Sequence, residues 1–261
     1  MDNGELETRI DRVTELIAGA RRVVAFTGAG ISTESGIPDF RGPGGVWERF
    51  DPEEFTYQRF LNDAGSRKKQ WQLLGGGLLH GGAEPNPAHY ALAELDRLGK
   101  LDCVITQNVD NLHQRAGVSG SKVFELHGNM QWVVCLSCGQ RYPFDLILAR
   151  LVGGEEDPAC ELCRGMLKPD VVMFGEQLPE GVVSDAALRS RKCDLFIVIG
   201  SSLVVYPAAY MPLYAAEAGA RLVIINLSET SMDHQAAVLI HAKAGEIMTR
   251  IAAGVREKLR G

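Results

Sequence analysis

The chain has 261 residues, 46% of them apolar and 23% charged, enough for one large core with a smaller module attached. That balance, with no low-complexity stretch, excludes a disordered chain. A formal net charge of −6 argues against non-specific nucleic-acid binding, which needs basic surface to displace counterions. It suits a cationic partner such as a lysine-bearing protein segment.

Residues 1–20 (MDNGELETRIDRVTELIAGA) carry charge throughout and contain no apolar signal block, so a cytoplasmic location without membrane attachment is expected. Glu5 to Ala20 reads as an amphipathic helix. Val23 to Phe26 reads as a buried strand running into Gly28, Ala29 and Gly30. Small residues there, with a helix N-terminus expected to come next, would let backbone N–H groups approach a pyrophosphate. Thr33 replaces the third glycine of GxGxxG, so this is a partial signature. Asp39 to about Ala83 is rich in glycine, arginine and aromatic residues, with a helix expected near Glu53 to Leu61. A helix over His89 to Leu98 and strands over Cys103 to Gln107 and Val123 to Leu126 come next.

Met130 to Lys168 breaks the alternation and leaves little room for long helices. Beyond it come a helix over Val182 to Arg191 and strands over Leu195 to Ile199 and Leu222 to Asn226. The final helix, Ala244 to Leu259, spaces Ile247, Ile251 and Val255 along one face. Leu195 to Ala216 is free of charge over about the length of a membrane span. Gly200, Ser201, Ser202, Pro207 and Pro212 interrupt it, so strand, loop and helix are expected instead. The alternation predicts an α/β protein with a doubly wound, parallel, Rossmann-like sheet. Segments 1–38, 84–129 and 169–261 would form the dinucleotide-binding domain. Insertions 39–83 (helix and loop) and 130–168 (metal-binding) would build the smaller module.

Two motifs carry chemistry without reference to any relative. Cys135-x2-Cys138 and Cys160-x2-Cys163, with 21 residues between the pairs, present four thiolates in the manner of a structural zinc site with no open coordination position. Trp132 and Tyr142 are expected to pack around it. Separately, Gly28, Gln107, His127, Gly200 and Asn226 each close an expected strand. Ligands of open α/β sheets gather at the carboxyl ends of the strands, so these five point to one cleft. There His127 has the side chain suited to proton transfer near neutral pH. Ser201 and Ser202, after Gly200, suit a phosphate or a ribose.

Gly28 to Arg41 (GAGISTESGIPDFR) resembles the opening signature of the sirtuin family. Further blocks agree in order: TQNVDNLH (106–113), ELHG (125–128), KPDVVMFGE (168–176), IGSSLVVYPA (199–208), IIN (224–226) and KAGEI (243–247). The resemblance spans roughly residues 20 to 255. It implies an enzyme that uses NAD to remove an acyl group from protein lysines, passing the group to ADP-ribose with release of nicotinamide. His127 would be the base for the nicotinamide ribose. Asn108 and Asp110 would line the nicotinamide pocket, with Asp110 holding the carboxamide beside Ile37. Phe40 would cover the ribose face, and Arg41 and Gln107 would reach the phosphate and ribose. Gly28, Ala29, Gly30 and Asp39 complete the cofactor contacts expected of the signature. Gly200, Ser201 and Ser202 would serve the second phosphate or its ribose, Asn226 the adenosine ribose, and the Ala244 backbone the adenine.

The apolar run from Val171 to Glu176 reads as a strand ending in glycine. By resemblance its Val172, Phe174, Gly175 and Glu176 would pair with an acyl-lysine peptide. Some sirtuins that prefer acidic acyl groups carry a Tyr-x-x-Arg pair in the first insertion. Here the only tyrosine between Gly42 and His80 is Tyr57, with Phe60 three residues later, so no succinyl or malonyl selectivity is expected. Trp71 to Leu79, apolar and glycine-rich, would admit acetyl or longer chains. ADP-ribosyl transfer to protein, with the same leaving group and another acceptor, stays open as an alternative.

Overall fold

The chain's computed structural model describes residues 3–76 and 82–260; residues 77–79 of the expected acyl-admitting stretch lie outside them. In chain order the strands are β1 (Val23–Thr27), β2 (Leu101–Thr106), β3 (Val123–Glu125), β4 (Gly128–Cys135), β5 (Arg141–Pro143), β6 (Leu167–Val171), β7 (Leu195–Ile199), β8 (Arg221–Ile225) and β9 (Val238–Ile240). The helices are α1 (Asn3–Gly19), α2 (Tyr57–Asn62), α3 (Ala64–Gly75), α4 (Pro87–Arg97), α5 (Leu112–Arg115), α6 (Phe144–Val152), α7 (Glu180–Lys192), α8 (Tyr210–Glu217) and α9 (Ala244–Lys258).

The main sheet has the order β3-β2-β1-β7-β8-β9, and every neighbouring pair is parallel. This is the doubly wound Rossmann order, with its direction reversing between β1 and β7. Successive side chains of a strand face opposite sides, and the sequence exploits this. Val23 and Ala25 join Ile197, Ile199, Val223 and Ile225 in a core shared with α1, α4 and α9. Val24 and Phe26 join Phe196, Val198 and Ile224 in a second core covered by α7 and α8. Buried on both sides, β1 and β7 read as unbroken apolar runs, which makes them legible in the sequence. In α9, Ile247, Ile251 and Val255 are buried as their spacing predicts. Asn86 caps α4, accepting the Ala88 N–H at 3.0 Å, with Pro87 at the first helical position.

A second, antiparallel sheet of order β5-β4-β6 packs with α2, α3 and α6 around a third core that includes Phe60, Trp71, Val133, Phe144 and Ile147. It runs past the expected limits of the zinc insertion, since β4 begins at Gly128 and β6 ends at Val171. The strand expected over Val171 to Glu176 is displaced: β6 covers Leu167–Val171, and the chain beyond it makes one bridge, Thr56 to Phe174. The reason is local, because Gly175 takes φ +79 and a side-chain bond turns the segment back at Glu176. The expected helix near Glu53 to Leu61 divides into a 3-10 turn (Pro52–Phe55) and α2. Strand β9 and helices α3 and α6 are elements that the sequence pattern does not predict. Among the described residues no helix is long and apolar enough to cross a membrane.

Candidate active site

The carboxyl ends of β1 and β7 meet at the switch point. Gly28 N–H donates to Ile199 O at 3.2 Å and Gly30 N–H to Gly200 O at 2.9 Å, so of the three expected anion donors only the Ala29 N–H is left without a partner among the described residues. A Cβ on Gly28 would stand 2.7 Å from Gly200 O, and one on Gly30 2.8 Å from Gly200 Cα. These glycines are therefore required first by the crossing of two turns, and only then by any ligand. No α-helix starts after β1. Two 3-10 turns, Ala29–Ile31 and Thr33–Ser35, take its place, and such short turns supply little of the dipole an α-helix would offer.

Beside the crossing lies a cleft between the two sheets, lined among others by Ala29, Ser32, Ile37, Phe40, Arg41, Gln107, Asn108, Asp110, His127 and Val171 to Glu176. His127 is partly buried and lies just beyond β3. Its Nδ1 lies 2.9 Å from Gln107 O; a carbonyl only accepts, so Nδ1 carries the proton and Nε2 keeps its lone pair. Burial pushes the imidazole below the usual histidine range, against the opposing pull of that carbonyl. That shift favours the neutral imidazole, the state a proton acceptor requires.

Facing it, Asn108 and Asp110 are knitted to the first glycine turn. Asn108 Nδ2 donates to Gly28 O and to Ser32 Oγ, both at 3.1 Å. Ser32 Oγ donates to Asp110 Oδ2 at 2.7 Å, and the Leu112 N–H donates to Asp110 Oδ1 at 3.0 Å. Burial pushes the Asp110 carboxyl up, while those two donors pull it back down. Ser32 is the joint of this network. The sequence shows it only as one letter of the GAGISTESGIPDFR signature, with no role attached; the signal available was its three-residue distance from Ala29 in a loop expected to meet the cofactor. Phe40, Trp47 and Phe174 form an aromatic wall, with Trp47 5.2 Å from Phe40 and 5.6 Å from Phe174. Trp47, Phe55, Gln70 and Leu74 also line the cleft and are missed from sequence, because no local pattern announces which residues of an irregular insertion turn inward.

The other expected cofactor residues lie off the cleft along the carboxyl edge of the sheet. Ser201 accepts from Gln107 Nε2 at 2.9 Å, which ties the end of β7 to the end of β2. Asn226 comes directly after β8 and its N–H donates to Ile240 O at 3.1 Å. Ala244 opens α9, where the next N–H, of Gly245, donates to Glu34 Oε2 at 2.7 Å. Ser202 is partly exposed beside Ser201. Asp39 turns to its own backbone, accepting from the N–H groups of Arg41 and Gly42 at 3.2 and 2.6 Å. It shapes the loop that carries Phe40 and Arg41.

In the segment after β6, Val172 N–H donates to His127 O at 2.8 Å and Tyr57 N–H to Phe174 O at 2.9 Å, while Phe174 N–H donates to Phe55 O at 3.3 Å. Phe174 is therefore already paired with the first insertion. The N–H and C=O of Gly175, in the turn closed by the Glu176 N–H on Met173 O at 3.0 Å, have no partner among the described residues. The Glu176 carboxylate is engaged by Lys168, 3.1 Å away.

Cys135, Cys138, Cys160 and Cys163 converge, with all four sulfurs within 4.8 Å of one another. Sγ separations of 3.5 Å (Cys135 to Cys163) and 3.7 Å (Cys138 to Cys160) match the edge of about 3.8 Å expected for a tetrahedron with zinc–sulfur arms of about 2.3 Å. The two knuckles turn alike, through Gly139 at φ +72 and Arg164 at φ +61. The Tyr142 hydroxyl lies 3.1 Å from Cys160 Sγ, as expected of a neighbour. Trp132 is 38% exposed and packs instead under the Arg141 guanidinium, 4.8 Å from its ring centre.

A Rossmann sheet with a glycine crossing at its switch point, an imidazole-bearing cleft beside it and a closed four-thiolate module defines a dinucleotide-binding α/β protein with a structural zinc ribbon. The Sir2 family model matches residues 28–207, and the chain belongs to that family. An NAD-dependent protein deacetylase of Pyrobaculum aerophilum is 47% identical over 97% of this chain and 95% of its own length. A deacylase of the same organism is 45% identical over 95% and 96%. Among solved structures, a Sir2 enzyme is 43% identical, with TM-score 0.88 over 97% of this chain and 99% of that one. Another, solved with a p53 peptide and NAD+, is 37% identical, with TM-score 0.85 over 97% and 99%.

Proposed function

We infer that the chain is an NAD-dependent protein-lysine deacylase that transfers the acyl group to ADP-ribose and releases nicotinamide. The observation that carries this reading is the placement of His127, with its Nδ1 committed to Gln107 O and its ring on the same cleft as the Ser32–Asn108–Asp110 network. NAD, when bound, supplies the electrophilic ribose carbon and the leaving nicotinamide. Gly28 to Gly30, Gly200 to Ser202, Asn226 and Ala244 would hold it along the sheet edge. The remaining work falls to this chain. Asp110 and Asn108, immobilised through Ser32, orient polar groups of the departing ring. His127 Nε2 accepts the proton of a ribose hydroxyl. Phe40 and Trp47 screen the cleft from water, which strengthens each of these interactions.

The peptide would pair with the free backbone groups of Gly175 between the two sheets, a main-chain mode that tolerates varied flanking sequence. Tyr57 and Phe60 are no acid-recognition pair: Phe60 is buried against Trp71, and Tyr57 lies under the Lys168 ammonium. The enzyme therefore has no selectivity for succinyl or malonyl groups. On the same proposal the protein is cytoplasmic and acts on protein segments and not on nucleic acid or membranes, which the net charge of −6 supports. The test is mass spectrometry of acetyl-, propionyl- and succinyl-lysine peptides incubated with and without NAD. NAD-dependent loss of the uncharged acyl groups is expected. A peptide that gains the mass of ADP-ribose and keeps its acyl group would replace this reading by protein ADP-ribosylation.

A further inference from the structure

We infer that Lys168 is a positioning residue, latching the segment that bears Gly175 to the second sheet and thereby setting the affinity for the acyl-lysine peptide. The inference rests on the deacylase reading. Lys168 lies on β6 with its side chain only 4% exposed, and a buried ammonium is costly unless its donors are matched. All three are. Nζ donates to Val171 O at 2.6 Å, to Pro169 O at 3.1 Å and to Glu176 Oε2 at 3.1 Å, with the Tyr57 ring 5.8 Å away.

Two of these partners, Val171 and Glu176, stand at either end of the segment that carries Phe174 and Gly175. Glu176 Oε2 also accepts the Met173 N–H at 2.9 Å, so one carboxylate closes the turn and one ammonium fixes both of its ends. Glu176 thus acts through Lys168, by holding the Gly175 backbone where an extended peptide would meet it. The dinucleotide residues Gly28, Gly200 and Asn226 sit on the other sheet, so loss of the latch should weaken peptide binding and spare the cofactor.

Lys168→Met keeps the apolar stem and removes the three donors. The expected result is a peptide KM raised about tenfold, with kcat and the ADP-ribose Kd within about twofold and zinc retained in full, because the charge-assisted contacts that are lost lie only on the end of β6 and the turn after it. Glu176→Gln should raise KM further, since it strands the buried ammonium. The double variant Lys168→Met/Glu176→Gln should be no worse than Glu176→Gln alone, a non-additivity that a purely structural role at separate sites would not produce. Should Lys168→Met fail to fold, Lys168→Arg carries the test. Its planar fork keeps the charge but not the three-way contact, and KM should rise by about threefold. An unchanged peptide KM in a folded, zinc-loaded variant overturns the latch alone. So does an ADP-ribose affinity that falls in parallel with peptide affinity. A wild-type protein without NAD-dependent turnover of any acyl-lysine peptide would overturn the deacylase reading, and the latch with it.

Discussion

Replacing Gly200 by alanine tests whether the crossing of the two glycine turns shapes the dinucleotide site. Gly200 adopts φ +61, and a Cβ there would stand 2.3 Å from Ile31 N and 2.5 Å from Gly30 C. Both neighbours are backbone, so no rotamer change can relieve the contact. The left-handed conformation alone costs an alanine about 1–2 kcal/mol, and forced overpacking adds about 1–3 kcal/mol. Gly200→Ala should therefore lose roughly 2–5 kcal/mol of stability and, by pushing the turns of β1 and β7 apart, bind ADP-ribose at least about tenfold more weakly. Gly219→Ala is the internal control. Its φ is +87, but nothing lies within 4 Å of the added Cβ, so only the conformational cost of about 1–2 kcal/mol applies and ADP-ribose affinity should not change. Urea denaturation and calorimetric titration with ADP-ribose read the two effects separately. If the two variants prove equal in both measurements, the close approach at the switch point plays no part in holding the dinucleotide.

His127→Ala should lower kcat by about 10²–10⁴-fold, the usual worth of a positioned base, with zinc content unchanged; turnover near wild type would remove His127 from its role. The buried His89, its pKa pushed down to about 4 by burial, and His113, pushed down likewise, make folding sensitive to acid. The unfolded chain takes up protons first, so their contribution is intact above about pH 6.5 and lost as pH falls toward 4, on the order of 3 kcal/mol for His89. Thermal melts of wild type and His89→Gln between pH 4.5 and 7.5 check this, and the variant's stability should vary less with pH over that range. Cys135→Ser should lose zinc and melt the module whose core includes Cys135 and Cys160, since structural zinc contributes folding energy directly; metal analysis that finds a full equivalent retained would refute the four-thiolate site.

How legible each element is in the sequence depends on how local its cause is. Buried parallel strands carry apolar residues on both faces, so β1 and β7 stand out as runs. α9 announces itself by spacing, and two CxxC pairs have few uses other than a tetrahedral metal. Three-residue β9 is too short to show a period, and irregular chain from Asp39 onward shows none. The strand expected over Val171 to Glu176 is misread for a different reason, because pairing with β4 selects Leu167–Val171 and the turn at Gly175 ends the extended run.

Composition and spacing alone therefore determined the sheet class, the zinc ligands and the residues at the strand ends. Tertiary structure decided which groups those residues satisfy. Gly28 and Gly30 answer first to Gly200, Glu176 to Lys168, and Asp110 to Ser32. The first and last of these pairs lie far apart along the chain, the second only a turn away, and in each a hydrogen bond or a backbone collision depends on distances of a few tenths of an ångström that only the folded packing sets.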